Sequence, residues 1–542
     1  TEYFSMVKDI IKKYDFSNPQ KSIADLEALS KTYLEFSSFM TKEKHELVQQ
    51  LIAQCAGLFL EATAINQMNI IGDSIKLRLS FNNRAGANIT NATVDVIGKS
   101  FSFTNLAANE AQEIIATLKL DDKMPVTQPY FLQKQMNMGA YVAEQDDVGK
   151  PENAGYFADF KITVGVTLYN YRKSIKYKYT DPVKGELYEP IQLVSPAFIN
   201  VSPNLIIFSN NKKNEKKQVS FTIQANSKLN EKVNFSTTVN KVGKTIYDSL
   251  LTIAKGGKEN ITAVLNSSDF KNDATESIGG ELLAASMYEH QYSSLKKISY
   301  DHIPDVFYNY QDRVKVLKMD LKTVGTNAGY IVGAGDRVPQ ALEQMGYKVT
   351  ILTEKDITPA TLKQFDVIIT GVRAYNVHAW LSNVYPTLMQ YVKDGGVLVT
   401  QYNTNNSIGP VKAAISPYPF TISRNRITDE TATINFLLPD HPVLNYPNKI
   451  TQRDFDGWIQ ERSIYNAENT DTSYKKIFSI KDPGEKEQNG SLIVADYGAG
   501  KYVYTGLVFF RELPAGVPGA YRLFANLISP SYSSGRGEKI KR

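Results

Sequence analysis

Cysteine is nearly absent. Cys55 is the single one in 542 residues, which excludes a disulfide framework, a cysteine zinc site and a redox pair. Leu51, Leu58 and Phe59 surround it at helical spacing, so an inert buried thiol is expected. Long apolar runs are also missing: no stretch approaches the ~20 residues of a membrane-spanning helix. Residues 1 to 20 carry Glu2, Lys8, Asp9, Lys12 and Lys13 where a signal peptide needs an apolar core. The chain opens at Thr1 rather than methionine, as expected of an excised or processed piece. Charge of one sign is scarce, with 61 Lys+Arg against 56 Asp+Glu and a formal net of +5. That is too even for a nucleic-acid binder, which clusters Lys and Arg on one face. The densest basic run, Asn210 to Lys217, reads as a solvated loop. Histidine is rare as well. His45, His290, His302, His378 and His441 show no metal-ligand spacing, so no metal is expected.

What is present is the composition of folded protein, 42% hydrophobic and 22% charged. At roughly 150 residues per domain, three or four units are expected. Residues 1–68 read as a helical segment: Phe4, Val7, Ile10, Ile11 and Tyr14, then Ile23, Leu26, Leu29, Tyr33 and Phe36, then Leu47, Leu51, Cys55, Phe59 and Ala62 form three apolar stripes. Asn18-Pro19 and Thr41 are the expected breaks. The period then falls to two. Ile75, Leu77, Leu79 and Phe81, and Ile162, Val164, Val166 and Leu168, predict a β-sandwich over 69–195. Val219, Phe221, Ile223 and Ala225, with Val233, Phe235, Thr237 and Val239, predict a second over 196–314. From 315 to 542 short apolar strands (328–332, 349–352, 365–370, 396–400) alternate with helical stretches, predicting a flavodoxin-like α/β domain with a parallel sheet. The fold class is thus multidomain α+β.

Ligands of such sheets gather beyond the carboxyl ends of the strands. Asp336, Arg373, Tyr375, Asn376, Gln401 and Asn403 follow strands here and are the first candidate pocket residues. The turn Gly333-Ala334-Gly335 invites a dinucleotide reading, but Val338 stands where the third glycine belongs, and no cofactor is expected. An amidotransferase or serine hydrolase needs a nucleophile on a sharp strand-to-helix turn. Cys55 lies in another domain and no Gly-x-Ser-x-Gly occurs, so no catalytic residue is assigned. The densest polar cluster runs from Asp454 to Arg462. Asp454, Asp456, Trp458, Glu461 and Arg462 could bind sugar hydroxyls, with Trp458 stacked on a pyranose, or supply a carboxylate pair. Equally, the carboxylates could cap a turn and pair on the surface. Arg511 and Glu512 read as a buried ion pair on the same edge. His302 and His378 are the histidines closest to being of interest.

The runs Gly329 to Pro339, Gly371 to Asn376, Asp454 to Arg462 and Phe510 to Gly519 together resemble the C-terminal region of large bacterial PIG-L (LmbE-like) deacetylases. Thr127 to Leu132 and Tyr179 to Glu186 resemble their middle region, so the likeness spans about residues 70 to 530. The family's zinc motif, of Ala-His-Pro-Asp-Asp type, does not occur here. The resemblance therefore implies a non-catalytic accessory region, with an α-galactosidase-associated type of β domain and a last domain similar to class I glutamine amidotransferase or ThuA-like folds without the nucleophile. It further implies a glycan or amino-sugar partner, an upstream zinc-dependent deacetylase domain and an exported, periplasmic or extracellular, location. Two readings stand beside it: a carbohydrate hydrolase using Asp454, Asp456 or Glu461 with a metal held by His378, and a purely structural docking region.

Overall fold

The computed structural model describes residues 2–34, 39–134, 140–149, 156–239, 242–283, 294–405, 410–411 and 413–530. Phe36 and His290 lie outside the described residues. The chain is a multidomain α+β protein. Helix α1 (Glu2–Lys13) turns Tyr3, Met6, Val7 and Ile10 towards α2 (Ile23–Leu34), which buries Leu26 and Leu29, and α3 (Phe39–Cys55) buries Val48, Ile52 and Cys55. Thr41 lies inside α3 rather than at a break. The buried stripe of α3 is rotated from the one expected, since Leu47 and Leu51 are 48% and 45% exposed. Nor does the third stripe continue through Phe59 and Ala62. Gly57, at φ +63°, closes the helix by donating to Gln54 O, and a strand, Leu58–Ala64, follows. A Cβ on Gly57 would lie 2.5 Å from Ala85 N, so both its backbone conformation and its surroundings select glycine.

That strand sits inside the first sandwich, paired antiparallel with Ser74–Asn83 and parallel with Lys176–Asp181. The helical segment therefore ends before Leu58, short of the boundary expected at 68. One sheet has five strands and the other four. Between them Ile75, Leu77, Leu79 and Phe81 meet Ala92, Val94, Phe160 and Ile162, each at most 1% exposed. Val166, 96% exposed, belongs to the hairpin tip at Gly165 and not to the core alternation. The second sandwich pairs a three-stranded sheet with a five-stranded one around Val219, Phe221, Ile223 and Ile206. Arg313–Met319 is part of it, running parallel to Leu205–Ser209 and antiparallel to Ala274–Leu283. The break expected at 314 therefore cuts a strand that the second sheet owns.

The last domain is a seven-stranded sheet, whose strands are numbered here β1 (Asn327–Ile331), β2 (Lys348–Ile351), β3 (Val367–Thr370), β4 (Val397–Gln401), β5 (Lys475–Lys476), β6 (Leu492–Tyr497) and β7 (Gly500–Thr505). Their spatial order is β2-β1-β3-β4-β7-β6-β5. Neighbours from β2 to β7 are parallel, while β6 and β5 add an antiparallel edge. Because both faces are covered, successive residues of one strand enter different cores. Val367 and Ile369 face α4 (Val338–Met345), α8 (Phe509–Ala515) and α9 (Pro518–Ile528), whereas Ile368 faces α7 (Leu381–Lys393). Two short helices, α5 (Pro359–Leu362) and α6 (Ala374–Val377), complete the connections on either side of β3. The sheet reverses direction of growth between β1 and β3, which makes their carboxyl ends the switch point.

The domains are joined by specific contacts. Asn309 N donates to Gln128 Oε1 (2.8 Å) and its Nδ2 to Thr127 O (3.1 Å), tying the segment at 127–132 to the second sandwich. Leu205, Ile207, Leu317 and Met319 share one apolar cluster with the last domain. Lys315 Nζ donates to Ala515 O (2.7 Å) at the end of α8, and Lys217 Nζ to Gln344 O (2.9 Å) near the end of α4. The basic run is thus an exposed turn over residues 211–214, as expected, and its last lysine, on the following strand, makes an interdomain contact. Burial there pulls the Lys217 ammonium down to about 8. No helix among the described residues is long and apolar enough to cross a membrane.

Candidate functional site at the carboxyl end of the parallel sheet

The turn after β1 is tight because it packs on the turn after β3. A Cβ on Gly333 would lie 2.0 Å from Val372 O, and one on Gly371 would lie 2.9 Å from both Gly333 N and Tyr330 Oη. Ala334 N donates to Val372 O (2.8 Å). Of the two glycines that invited a dinucleotide reading, Gly333 is required by this backbone contact, whereas Gly335 meets nothing within 4 Å and is there for its positive φ (+106°).

Most strand-end candidates close this junction from within. Asp336 accepts from Tyr330 Oη (2.6 and 2.7 Å), Val338 N (3.0 Å) and Val372 N (3.1 Å), so both carboxylate oxygens are committed. Gln401 Nε2 donates to Tyr330 Oη (3.1 Å). Asn403 accepts from Tyr375 N (3.0 Å) and donates to Gln401 O (3.0 Å). Asn376 Oδ1 accepts from Thr404 N (2.8 Å), and its Nδ2 donates to Thr404 O (3.0 Å). Tyr375 is fully buried. Asp336, Asn376, Gln401 and Asn403 are therefore corrected from pocket groups to the network that fixes α6 beneath the turn, and Tyr375 to a buried ring that joins it through its backbone N–H. A residue directly after a buried strand points inward as often as outward, which strand-end position alone does not reveal.

The Asp454 to Arg462 cluster divides in the same way. Thr451 N donates to Asp454 Oδ2 (2.8 Å), and Arg522 Nε donates to Asp454 Oδ1 (2.8 Å), so this carboxylate caps a turn and anchors α9. Trp458 is 2% exposed, packs between Phe455 and Phe509, and donates Nε1–H to Asp454 O (3.0 Å). It cannot stack on a sugar. Arg462 is buried over the rings of Phe455 and Trp458, and burial pulls its guanidinium below the usual range. Asp456 is exposed. Glu461 accepts from Arg511 Nε (3.2 Å). The pairing expected within Arg511-Glu512 is instead Arg511 with Glu461. Glu512, fully buried, accepts from Ile459 N (3.1 Å to each oxygen), and burial pushes its carboxyl up to about 8.

What remains is a rim. Arg373 ends the β3 turn in the left-handed region (φ 60°, ψ 21°), where an L-residue is disfavoured by about 1–2 kcal/mol. Its N–H donates to Tyr402 O (2.8 Å). Its Nε is shielded from water and has no hydrogen-bond partner among the described residues. Tyr402 stacks on Tyr465 (centroids 5.6 Å, 8°) and abuts Phe510 (5.3 Å), over which Arg511 lies at 4.8 Å. Burial raises the Tyr402 hydroxyl, and the charges of Arg373 and Arg511 act against that rise. Gln460, which accepts from Arg511 Nη1, and Tyr465 also take positive φ, 68° and 54°. Three non-glycine residues in left-handed conformations therefore meet on one rim, a concentration of strain found where function over-determines the backbone.

Tyr402, Gln460, Tyr465 and Phe510 escaped the sequence reading. Tyr402 lies between two chosen residues and could have been found by taking the alternate positions after β4. Gln460 and Phe510 lie within runs singled out in the sequence, Phe510 at the start of α8, but neither was chosen as a ligand group, and Tyr465 carries no local mark. His378 Nε2 lies 2.8 Å from Val332 O, a backbone contact, and His302 stacks loosely on Tyr300. Among the described residues no three His, Cys, Asp or Glu side chains gather as a metal site.

No family model and no curated protein matches the chain. Among solved structures it is similar to a β-galactosidase from Rahnella sp. R3 (14% identity, 40% of this chain and 32% of that one, TM-score 0.24). It is also similar to the exo-β-1,4-mannosidase Op5Man5 from Opitutaceae bacterium strain TAV5 (15%, 39% and 36%, TM-score 0.23). A protein of unknown function from Porphyromonas gingivalis W83 matches 48% of this chain and 98% of its own at 11% identity and TM-score 0.15. The chain spans about a third of the length of the two glycosidases. TM-scores this low establish neither fold nor activity.

Proposed function

We propose that this chain is a non-catalytic glycan-binding region, accessory to a sugar deacetylase of the PIG-L type, and that glycan is held at the carboxyl end of the last domain's sheet. The observation that carries this is Arg373. It stands on the sharp strand-to-helix turn after β3, where an arginine binds but cannot attack, and the strand ending at Thr400 leads into Gln401, Tyr402 and Asn403 with no Cys or Ser nucleophile. The carboxylates a hydrolase would recruit support the same reading. Asp454 is bonded to Arg522 and Thr451, and Glu461 to Arg511, which leaves Asp456 alone on the surface. Half-buried aromatic faces at Tyr402, Tyr465 and Phe510 suit the apolar side of a pyranose. The exported location and the deacetylase partner belong to the proposal through the family resemblance.

Calorimetric titration of the whole chain with sugars of neutral, amino and acidic type, run beside an assay for release of acetate or of reducing ends, tests it. Saturable binding without turnover, weakened by Tyr402→Ala, is the expected result. Turnover by the chain alone, or no binding of any sugar, overturns it.

A further inference from the structure

Resting on that glycan-binding reading, we infer that the rim formed by Arg373, Tyr402 and Arg511 recognises a carboxylate, and that its ligand is a uronic-acid-bearing sugar. Among the described residues Arg373 has no acidic partner and its buried Nε–H has no acceptor. A guanidinium half withdrawn from water and left unpaired is unfavourable unless an acceptor completes it. Arg511, by contrast, is already paired with Glu461 at 3.2 Å. Glu430 also accepts from Gln460 N on the same rim, so Arg373 is the rim's one cation without an anionic partner among the described residues. One such cation suits one singly charged group. A phosphate dianion would meet Glu461 as well as the arginines and would be over-charged for the site. The planar fork of a guanidinium also matches a carboxylate in geometry. The Tyr402 hydroxyl, for which no partner is found among the described residues, supplies a further donor, and the ring system of Tyr402, Tyr465 and Phe510 gives the sugar an apolar surface to lie against.

The backbone supports the same assignment. A left-handed conformation at Arg373 is accepted at a residue where glycine would be free of strain, so the side chain rather than the turn is what the position retains. The network of Asp336, Asn403 and Asn376 beneath it holds the turn in place without using the guanidinium.

The test titrates the full chain with sodium glucuronate, glucose, N-acetylglucosamine, acetate and inorganic phosphate. Glucuronate is expected to bind at least tenfold tighter than glucose or acetate, to weaken as salt is raised, and to weaken at least tenfold in Arg373→Gln and severalfold in Tyr402→Phe. Arg373→Gly guards against misfolding: it relieves the strained φ, so it should keep the melting temperature of the parent and lose glucuronate equally. If glucose and N-acetylglucosamine bind as tightly as glucuronate and Arg373→Gln changes nothing, the carboxylate assignment falls while glycan binding stands. If phosphate binds more tightly than glucuronate, the site is a phosphate site and the assignment falls. If no sugar binds, both fall together.

Discussion

The two ends of the parallel sheet each hold a withdrawn cation, and they treat it in opposite ways. At the amino end Lys501, at the start of β7, is fully enclosed and donates to Ser529 O (2.7 Å) and Asn526 O (3.3 Å), the last carbonyls of α9. Burial brings its ammonium down to about 7. At the carboxyl end Arg373 stands in strained backbone with an unpaired Nε. One cation completes the fold and the other is left incomplete by it. A side chain that the protein satisfies is explained by stability; Arg462 Nε, Gln401 Oε1 and Tyr375 Oη are also unpartnered among the described residues but lie in buried residues, whereas Arg373 is half-exposed and open to something outside the chain.

That contrast can be broken by substitution. The largest effect belongs to the interior: Trp458→Ala should lower unfolding free energy by about 3–5 kcal/mol, measured by urea titration, while the protein that remains folded binds sugar normally. Selective loss of binding with full stability would instead return Trp458 to the site. Lys501→Ala should follow at roughly 3 kcal/mol, because it opens a void and strips the donor from two buried carbonyls; Arg373→Ala should stay within about 1 kcal/mol. Equal losses at the two positions would erase the distinction between the ends.

Glu512 offers a smaller, pH-dependent check on the structural side of the rim. Its carboxyl is raised to about 8 from an ordinary value of 4.5, so the folded state holds the proton more tightly than the unfolded one. Its contribution is present in full below pH 4.5 and is lost as pH rises to about 8. Melting temperature should fall over that window, and Glu512→Gln, which cannot ionise, should flatten the fall. An unchanged slope would show that the carboxyl is ionised throughout. The smallest effect is Arg373→Gly, which should raise stability by about 0.5 kcal/mol through relief of the left-handed strain, offset in part by the freer unfolded chain.

Much of the architecture was legible because its signals are local. The two-residue alternation of Ile75 to Phe81 and of Val219 to Ala225 is borne out by complete burial of those positions, and the strand-helix alternation after 325 gives a flavodoxin-like strand order. The misreadings have equally local causes. Phe59 and Ala62 continue a helical spacing by accident across Gly57, whose backbone ends the helix. Val166 continues a strand spacing across a hairpin tip. The site was legible only in part. Arg373 was found from its place after a strand, yet Asp336, Tyr375, Asn376, Gln401 and Asn403 were found by the same rule and face inward. Gln460 meets Arg511, and Tyr465 and Phe510 meet Tyr402, only through tertiary packing, and positive φ at Gln460 and Tyr465 has no signature in residue type. Trp458 and Asp454 looked like ligand groups because aromatic and acidic residues were dense there, and density says nothing about which way a side chain turns.

The most direct measurement is the glucuronate affinity of Arg373→Gly relative to the unaltered chain, taken at one salt concentration with melting temperatures recorded for both. A loss of at least tenfold at equal or higher melting temperature is the predicted result. Unchanged affinity at equal melting temperature would show that the turn after β3 holds no ligand.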